Sequence, residues 1–345
     1  MYFGYFFLTF LISLFLTPAV RNLMRRFNIV DLPRTEARKI HKQKIPLGGG
    51  LAIFASFFLV VLLVIPKMGD SVEIKYLWAL FLGGLVLMLG GILDDKYNLR
   101  PKQQIIFPLI TALLIIVFGI GPEVITNSLG GVFNFNRFVL GDWLWLADFM
   151  VFVWIMVMMF TTKLLDGLDG LTAGIVFIGT IMIAFLSLQA KWCQPDLALL
   201  ALIFAGACLG FLIWNFYPAK IFLGEGGALF LGFMLGSLAI ISGGKIATTL
   251  LVMGVPVMDM IRVIIRRWQK KQPFYIGDSE HLHFRLLQSG LSQRQAVLLL
   301  YSLAFLFGVT TLFLQSSEKL IALAFLFVLM LLLGIWFMHK ANSKV

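Results

Sequence analysis

The segment KLLDGLDGLTAG, residues 163–174, places two carboxylates among several glycines in a chain that is otherwise strongly apolar. Asp166 and Asp169 are three residues apart, a spacing that predicts a shared face if the segment is helical. Gly167 and Gly170 would let the backbone approach a ligand closely. The same pattern is equally typical of a glycine-rich turn between two helices, so this segment alone leaves both interpretations open.

A second acidic segment is GGILDDKYNLRPKQQ, which contains the adjacent residues Asp94 and Asp95. We predict that this pair closes an apolar helix at its C-terminal end, where the helix dipole disfavours negative charge. Either Mg²⁺ or a nearby lysine, such as Lys96 or Lys102, would offset that charge. A solvated acidic helix end would have the same sequence, and the pair alone does not exclude it.

The segment NFYPAKIFLGEGG, residues 215–227, combines a helix break at Pro218 with a cation, an aromatic face and a carboxylate among glycines. These three side chains belong to Lys220, Phe222 and Glu225. A flexible glycine-flanked backbone could form a nest around an anion or a metal-bound group. A re-entrant turn is the alternative interpretation.

The segment GDSEHLHFRL, residues 277–286, holds two of the four histidines of the chain. If it is extended, His281, His283 and Arg285 share one face. Three such donors would suit a diphosphate group.

The composition determines the setting of these segments. Hydrophobic residues make up 60% and charged residues 13% of the 345 residues, which is more apolar surface than a soluble fold of this length can bury. We therefore predict an all-α, polytopic integral membrane protein that forms one transmembrane domain over residues 1–345. Eleven stretches are long enough to span a bilayer: 2–20, 48–66, 76–93, 105–121, 144–162, 171–189, 196–214, 226–242, 246–264, 294–314 and 319–338.

Basic residues predict the orientation of these spans. Residues 21–47 carry eight lysines and arginines, and residues 265–293 carry five, so both segments are expected on the cytoplasmic side. Eleven spans then put the N-terminus outside and the segments with unusual chemistry in the cytoplasm. Because basic loops against anionic lipid account for most of the net charge of +11, a nucleic acid partner is not expected.

The carboxylates cannot face lipid, because one Asp at the centre of a spanning helix costs about 2.5–3.5 kcal/mol on the insertion scale. They must therefore lie at the membrane interface or in a wet cleft. Four loops with carboxylates, glycines and cationic donors on one side of the membrane make a stronger case together than singly. These are the parts that phosphoryl transfer requires: carboxylates for Mg²⁺, cations for the developing charge, and a closely approaching backbone.

Six segments, in order, resemble the polyprenyl-phosphate N-acetylhexosamine-1-phosphate transferases, also called glycosyl transferase family 4. They are RKIHKQKIPLGGG, LDDKYNLRPKQQ, LLDGLDGLTAG, NFYPAKIFLGEGG, PVMD at 256–259 and HLHFRL, spread over residues 38–286. The His-x-His-x-Arg pattern is similar to the branch that uses UDP-N-acetylglucosamine or a related UDP-sugar, rather than the phospho-muramoyl-pentapeptide branch.

The resemblance implies that undecaprenyl phosphate attacks a UDP-sugar at the cytoplasmic face of the plasma membrane, that UMP leaves, and that Mg²⁺, or Mn²⁺ in its place, is the cofactor. The catalytic residues it implies are Asp94, Asp95, Asp166 and Asp169, and the metal ligands are Glu225 and Asp95. The substrate-binding residues it implies are Arg38, Lys39, His41, Lys102, Lys163, Asn215, Lys220, Phe222, His281, His283 and Arg285. Within this set, Asp94 and Asp95 would handle the lipid phosphate, and Asn215, Asp169 and Phe222 the uridine. A homodimer is compatible with the sequence, which leaves the oligomeric state open.

Three positions depart from the family pattern. Lys163 stands where the family usually has Asn, Glu225 where it usually has Asp, and Phe284 where it has a second His. Glu keeps the charge but reaches one methylene further, and Lys163 adds a cation that could lie close to it. These departures leave open an altered sugar preference, or a catalytically inactive relative.

A carrier or flippase for a lipid-linked intermediate is the alternative from another functional class. Transporters place ionisable residues near the bilayer midplane in broken helices. Here only Asp148 and Asp259 fall well inside predicted spans, which favours the enzyme.

Overall fold

The computed structural model describes residues 2–33, 43–69, 71–121, 124–126, 132–134, 145–243, 245–271, 281–314, 317–328 and 332. Two short antiparallel strand pairs occur within them, β1 (Val30–Asp31) with β2 (Ile45–Pro46) and β3 (Val124–Thr126) with β4 (Val132–Asn134). The helices are α1 (Tyr2–Arg26), α2 (Gly50–Val64), α3 (Ile74–Tyr97), α4 (Pro101–Gln104), α5 (Ile106–Val117), α6 (Trp145–Leu165), α7 (Leu171–Leu188), α8 (Pro195–Asn215), α9 (Gly224–Ile241), α10 (Ile246–Val252), α11 (Gly254–Gln269), α12 (Leu282–Gln288), α13 (Gln293–Phe313) and α14 (317–328).

The predicted class, an all-α polytopic membrane protein, is confirmed. Eight helices of the described chain are long and apolar enough to cross a membrane: α1, α2 with its 3-10 extension Ile65–Lys67, α3, α6, α7, α8, α9 and α13. A helix satisfies its backbone hydrogen bonds internally, so a long apolar run can enter lipid in this form.

The predicted count of eleven spans is not confirmed. The stretch 246–264 is broken: α10 and α11 meet at 76°, and they add a ninth span to the described chain only if they are counted together. The stretch 105–121 yields a shorter apolar helix, Pro101–Val117, and 319–338 lies only partly within the described residues. Pro256, in the first turn of α11, cannot donate the backbone hydrogen bond that would continue α10 smoothly.

Although it is short, the α4–α5 segment returns along the whole of α3. At one end Gln104 donates to Asp94, and in the middle the Thr111 hydroxyl donates to the carbonyl of Gly83 at 3.2 Å. At the other end Gly119 lies beside Lys75 near the start of α3. The segment therefore carries the chain from one end of the helix bundle to the other.

The core of the bundle lies around α8 and α9, where most side chains are buried. Phe204 of α8 contacts Phe57 and Phe230 edge-to-face, with ring centroids 5.6 and 6.0 Å apart. Such aromatic pairs are favoured by the ring quadrupoles beyond their buried area. They join α2, α8 and α9 into one packed unit.

Glycines bring the beginning of α9 into backbone contact with α2 and α3. A Cβ added to Gly50 would lie 2.2 Å from Cα of Gly227, and one added to Gly91 would lie 2.1 Å from the nitrogen of Gly226. No side chain fits at either contact, because both partners are backbone atoms. The start of α9 is thus held between α2 and the end of α3, which brings Glu225 next to the Asp94–Asp95 pair.

Candidate active site

The loops singled out in the sequence meet at one end of the helix bundle. The N–H of Gly49 donates to the carbonyl of Phe222 at 2.8 Å, and the N–H of Phe222 donates to the carbonyl of Pro46 at 2.9 Å. Other contacts join the end of α3, the α6–α7 turn, the α8–α9 loop and α12. Their predicted convergence at one end of the bundle is therefore observed.

Asp94 is buried in the last turn of α3 and is held by two donors. Its Oδ1 accepts the N–H of Leu99 at 2.8 Å and the side-chain amide of Gln104 at 3.0 Å. The helix ends at Asn98, which adopts a left-handed conformation with φ 50°. That turn folds Leu99 and Gln104 back over the carboxylate.

Asp95 faces the N-terminus of α9. Its Oδ1 accepts the N–H of Glu225 at 3.2 Å, so the positive end of one helix dipole offsets the negative end of another. The two lysines expected to play this part do not contact the pair in the structure. Lys96 lies over the ring of Tyr97, 5.2 Å from its centroid, and Lys102 is exposed on α4.

Among the described residues, the lysine that reaches this group is Lys163, from the last turn of α6. Its Nζ lies 2.8 Å from Oε2 of Glu225 and donates to Oε1 of Gln104 at 3.2 Å. The contact with Glu225 is an ion pair without hydrogen-bond alignment, and Oε2 is occluded from solvent. The predicted proximity of Lys163 and Glu225 is confirmed.

Asp166 and Asp169 do not share a helix face, so that prediction is wrong. α6 ends at Leu165 and α7 begins at Leu171, and between them the chain turns through Gly170 with φ 81°. Asp169 leaves the turn toward the α8–α9 loop, where its Oδ2 accepts the N–H of Ala219 at 2.9 Å.

Asp166 keeps some surface access but is surrounded by protein atoms. The loss of water raises its pKa to about 7, the neighbouring Thr172 side chain opposes the rise, and the charges of Glu225 and Asp169 add to it. Asp166 therefore changes its charge near neutral pH.

Asn215 is buried and joins two loops. Its Oδ1 accepts the N–H of Gly170 at 3.1 Å, and its Nδ2 donates to the carbonyl of Ile221 at 2.9 Å. Tyr301 donates to the carbonyl of the same Gly170 at 2.5 Å. Both polar groups of the Asn215 amide thus orient the loops that carry Asp169 and Phe222.

Phe222 and Lys220 lie on the accessible side of this region. Phe222 is half-buried, and Lys220 is exposed with its Nζ 5.0 Å from the ring centroid of Trp214. Of the remaining predicted binding residues, Arg38, Lys39 and His41 lie outside the described residues.

The histidine segment is helical from Leu282, so the extended alternation considered from the sequence does not apply. His281 precedes α12, and its Nδ1 lies 3.0 Å from Oδ2 of Asp259 in α11. The N–H of Leu282 also donates to Asp259, at 3.0 and 3.1 Å, and Arg262 pairs with it at 2.6 Å. Asp259 was not among the predicted site residues, although its charge within an apolar stretch was a signal for function.

His283 is not the cationic donor that the sequence suggested. Burial and, to a smaller extent, the neighbouring His281 lower its pKa to about 3, although the charge of Asp259 opposes them, so the ring is neutral. Its Nε2 has no hydrogen-bond partner among the described residues and lies against Gly167, where an added Cβ would come within 2.2 Å. Arg285 is half-buried in the same helix.

The resulting site is rich in negative charge. Glu225, Asp94 and Asp166 all lie close enough to Asp95 to repel it. The described residues contain no preformed group of three or more His, Cys, Asp or Glu side chains able to hold a metal ion. Mg²⁺, however, usually takes only one or two carboxylates and keeps waters or substrate phosphates. The excess of carboxylates, and the part of the Glu225 side chain that stays accessible away from its ion pair with Lys163, fit such a cation.

The fold and this site define a multi-pass membrane protein with an acidic, glycine-lined centre at one end of its helix bundle. The sequence profile of the family described as Glycosyl transferase family 4 matches residues 77–243. The chain is 34% identical over 336 residues to the probable undecaprenyl-phosphate N-acetylglucosaminyl 1-phosphate transferase of Bacillus subtilis (strain 168), covering 96% of this chain and 89% of that protein.

Two further relatives carry transferase names of the same kind. The decaprenyl-phosphate N-acetylglucosaminephosphotransferase of Mycolicibacterium smegmatis is 31% identical, over 84% of this chain and 76% of that protein. The phospho-N-acetylmuramoyl-pentapeptide-transferase of Prochlorococcus marinus (strain MIT 9215) is 31% identical, over 76% of this chain and 74% of that protein. The chain therefore belongs to glycosyl transferase family 4.

Proposed function

We propose that this protein transfers a sugar 1-phosphate, N-acetylglucosamine 1-phosphate in the first instance, from a UDP-sugar to undecaprenyl phosphate. The observation that carries the proposal is the cluster of Asp94, Asp95, Asp166 and Glu225 at one end of an apolar helix bundle. A lipid phosphate can reach such a place from the bilayer, and a nucleotide sugar can reach it from water. The names of the relatives, which refer to undecaprenyl or decaprenyl phosphate and to N-acetylglucosamine, support the lipid acceptor and the transferred sugar.

The reaction exchanges one diphosphate for another. An oxygen of the lipid phosphate forms a bond to the phosphorus that bears the sugar, and the bond from that phosphorus to UMP breaks. UMP leaves with the electron pair, and the product is a polyprenyl diphosphate sugar. Because one diphosphate bond replaces another, we expect the reaction to be reversible.

Glu225 and Asp95 would hold Mg²⁺, which supplies positive charge to the diphosphate when it is bound. Their carboxylates arrive from α9 and α3, and the N–H of Glu225 links them by donating to Asp95. Asp94 is already held by Leu99 and Gln104. Close fixation of this kind favours phosphoryl transfer, which depends on positioning and charge stabilisation.

On the other side of the site, Asp259 orients His281 through the contact at 3.0 Å. His281 and Arg285 would donate to the diphosphate, whereas the neutral His283 packs against Gly167 and sets the distance between α12 and the α6–α7 turn. Asp169 and Phe222 would contact the uridine, with Asn215 keeping their two loops together.

The first test of this proposal is a product assay. Purified protein with Mg²⁺, undecaprenyl phosphate and labelled UDP-N-acetylglucosamine should release UMP, and added UMP should reverse the reaction. Release of UDP would instead indicate transfer of the sugar without its phosphate. Absence of turnover with several UDP-sugars would favour the carrier or the catalytically inactive relative.

The pKa of Asp166 predicts a pH dependence. Its carboxylate form, which we propose is the active one, dominates only above about pH 7, so the rate of UMP release should rise with pH below this value and level off above it. Thr172→Val should shift the rising limb to higher pH, because Thr172 lowers this pKa. If the rising limb of the pH profile stays at the same pH in Thr172→Val, Asp166 is not the group that controls it.

We further propose that the site faces the cytoplasm and that the protein lies in the plasma membrane with its N-terminus outside. Exposed Cys193 lies in the turn between α7 and α8, at the opposite end of the bundle from the site. It should react with an impermeant thiol reagent in intact cells. Cysteines at Lys44 and Lys102, introduced with Cys193→Ser, should react only after lysis. The reverse labelling pattern would show that the protein has the opposite orientation in the membrane.

A further inference from the structure

Lys163 connects carboxylates from two different helices. Its Nζ contacts Glu225 of α9 directly at 2.8 Å and donates to Oε1 of Gln104 at 3.2 Å. The amide nitrogen of Gln104 in turn donates to Asp94 of α3 at 3.0 Å. The ammonium group of Lys163 thus contacts Glu225 directly and is connected to Asp94 through the side-chain amide of Gln104.

The two halves of the Glu225 carboxylate have different surroundings. Oε2 is occluded beside Lys163, while the side chain as a whole is 36% exposed, so its accessible part lies away from the ion pair. The Lys163 side chain is 21% exposed. An ion pair that is partly shielded from water is screened less by salt than a surface pair. Lys163 can therefore hold the orientation of Glu225 and lower the negative potential around it.

We propose that Lys163 is a positioning residue and a built-in counter-ion that sets the affinity of this site for a divalent cation, rather than a substrate-binding residue. The inference rests on the proposed function in assigning Glu225 to the metal. Length matters to this pairing: an aspartate at 225 would withdraw its carboxylate by about one C–C bond, roughly 1.5 Å. Lys163 and Glu225 are therefore matched in two respects: their charges are opposite, and the length of the Glu225 side chain brings its carboxylate to Lys163.

The test measures Mn²⁺ binding to purified protein without substrates, by the loss of the free Mn²⁺ signal in electron paramagnetic resonance. Lys163→Met has a similar length and no charge, and it should bind Mn²⁺ about tenfold more tightly, equivalent to about 1.4 kcal/mol. Its kcat for UMP release should nevertheless fall, because Glu225 loses its orientation. Lys163→Arg, which keeps the charge, should bind Mn²⁺ like the parent.

The matched control is Lys96→Met, which removes the same charge beside the Asp94–Asp95 pair from an exposed side chain that lies over Tyr97. Water and salt screen that position, so its Mn²⁺ affinity should change less than twofold. If the Mn²⁺ affinity rises as much in Lys96→Met as in Lys163→Met, the effect is a general change of surface charge and the proposal is overturned.

A second measurement tests the matched pair directly. Turnover of Lys163→Asn should recover at least about fivefold when Glu225→Asp is added, since contacting residues show non-additive effects. Additive effects would overturn the pairing. Unchanged or weaker Mn²⁺ binding in folded Lys163→Met would overturn the counter-ion role, as would failure of both parent and variant to bind Mn²⁺.

The two proposals can fail separately. If Mn²⁺ binding depends on Lys163 but UMP is never released, the proposed reaction is wrong and the counter-ion role stands. If UMP is released normally but the Mn²⁺ affinity is the same with and without the Lys163 charge, only the counter-ion role is wrong. Elution of each variant as a monodisperse peak with parental thermal stability establishes that it is folded.

Discussion

Glu225→Gln should reduce the rate of UMP release at least about 100-fold while the protein stays folded, a loss comparable to removing one preorganised electrostatic group. The amide keeps the size of the side chain but removes the charge that would bind the cation and that pairs with Lys163 at 2.8 Å. Rates of UMP release at saturating Mg²⁺, measured with the parent as reference, provide the test.

Glu225→Asp is the matched control, because it keeps the charge and changes only the reach. Mg²⁺ retains waters that can absorb a small displacement of one ligand, so this variant should keep measurable turnover. Its rate should nevertheless fall, because the shorter side chain leaves Lys163. Activity of Glu225→Gln within a few-fold of the parent would remove Glu225 from the metal site.

Gly91→Ala should have the second large effect, although Gly91 has no side chain to take part in the chemistry. The added Cβ would lie 2.1 Å from the nitrogen of Gly226, so the end of α3 must move away from the start of α9. Overpacking of this kind costs about 1–3 kcal/mol of stability. A displacement of about 1 Å between Asp95 and Glu225 would cost turnover about 100-fold.

Thermal unfolding and UMP release of Gly91→Ala should both be compared with Gly4→Ala. Gly4 lies in α1 and has no atom within 4 Å of an added Cβ, so that variant introduces the same methyl group without a clash. Gly4→Ala should match the parent in both measurements. Parental stability and turnover in Gly91→Ala would show that this glycine contact does not set the spacing of the carboxylates.

Long apolar helices were predictable from the sequence because lipid imposes a simple rule: a run of roughly 20 apolar residues needs no partner to become a spanning helix. Breaks and short helices are less predictable. The 76° bend between α10 and α11 and the short α4–α5 segment depend on packing against neighbours that composition does not reveal.

The residue types of the site were also readable from the sequence, since carboxylates, glycines and cations recur in four otherwise apolar surroundings. Their roles in the geometry were not. Asp259 supports His281 across 22 positions of the chain, and burial makes His283 neutral, neither of which follows from spacing. Long-range contacts and desolvation are properties of the folded chain alone.

The sequence by itself determined that this chain is a helical membrane protein with acidic and basic groups gathered between its spans, because hydrophobicity and charge act locally. Only the tertiary structure decided which charges meet. The glycine contacts of Gly50 with Gly227 and of Gly91 with Gly226 bring three helices to backbone distance. Because helices in backbone contact bring together the residues beside their glycines, Asp95 lies at the N-terminus of α9, where Glu225 also contacts Lys163 of α6.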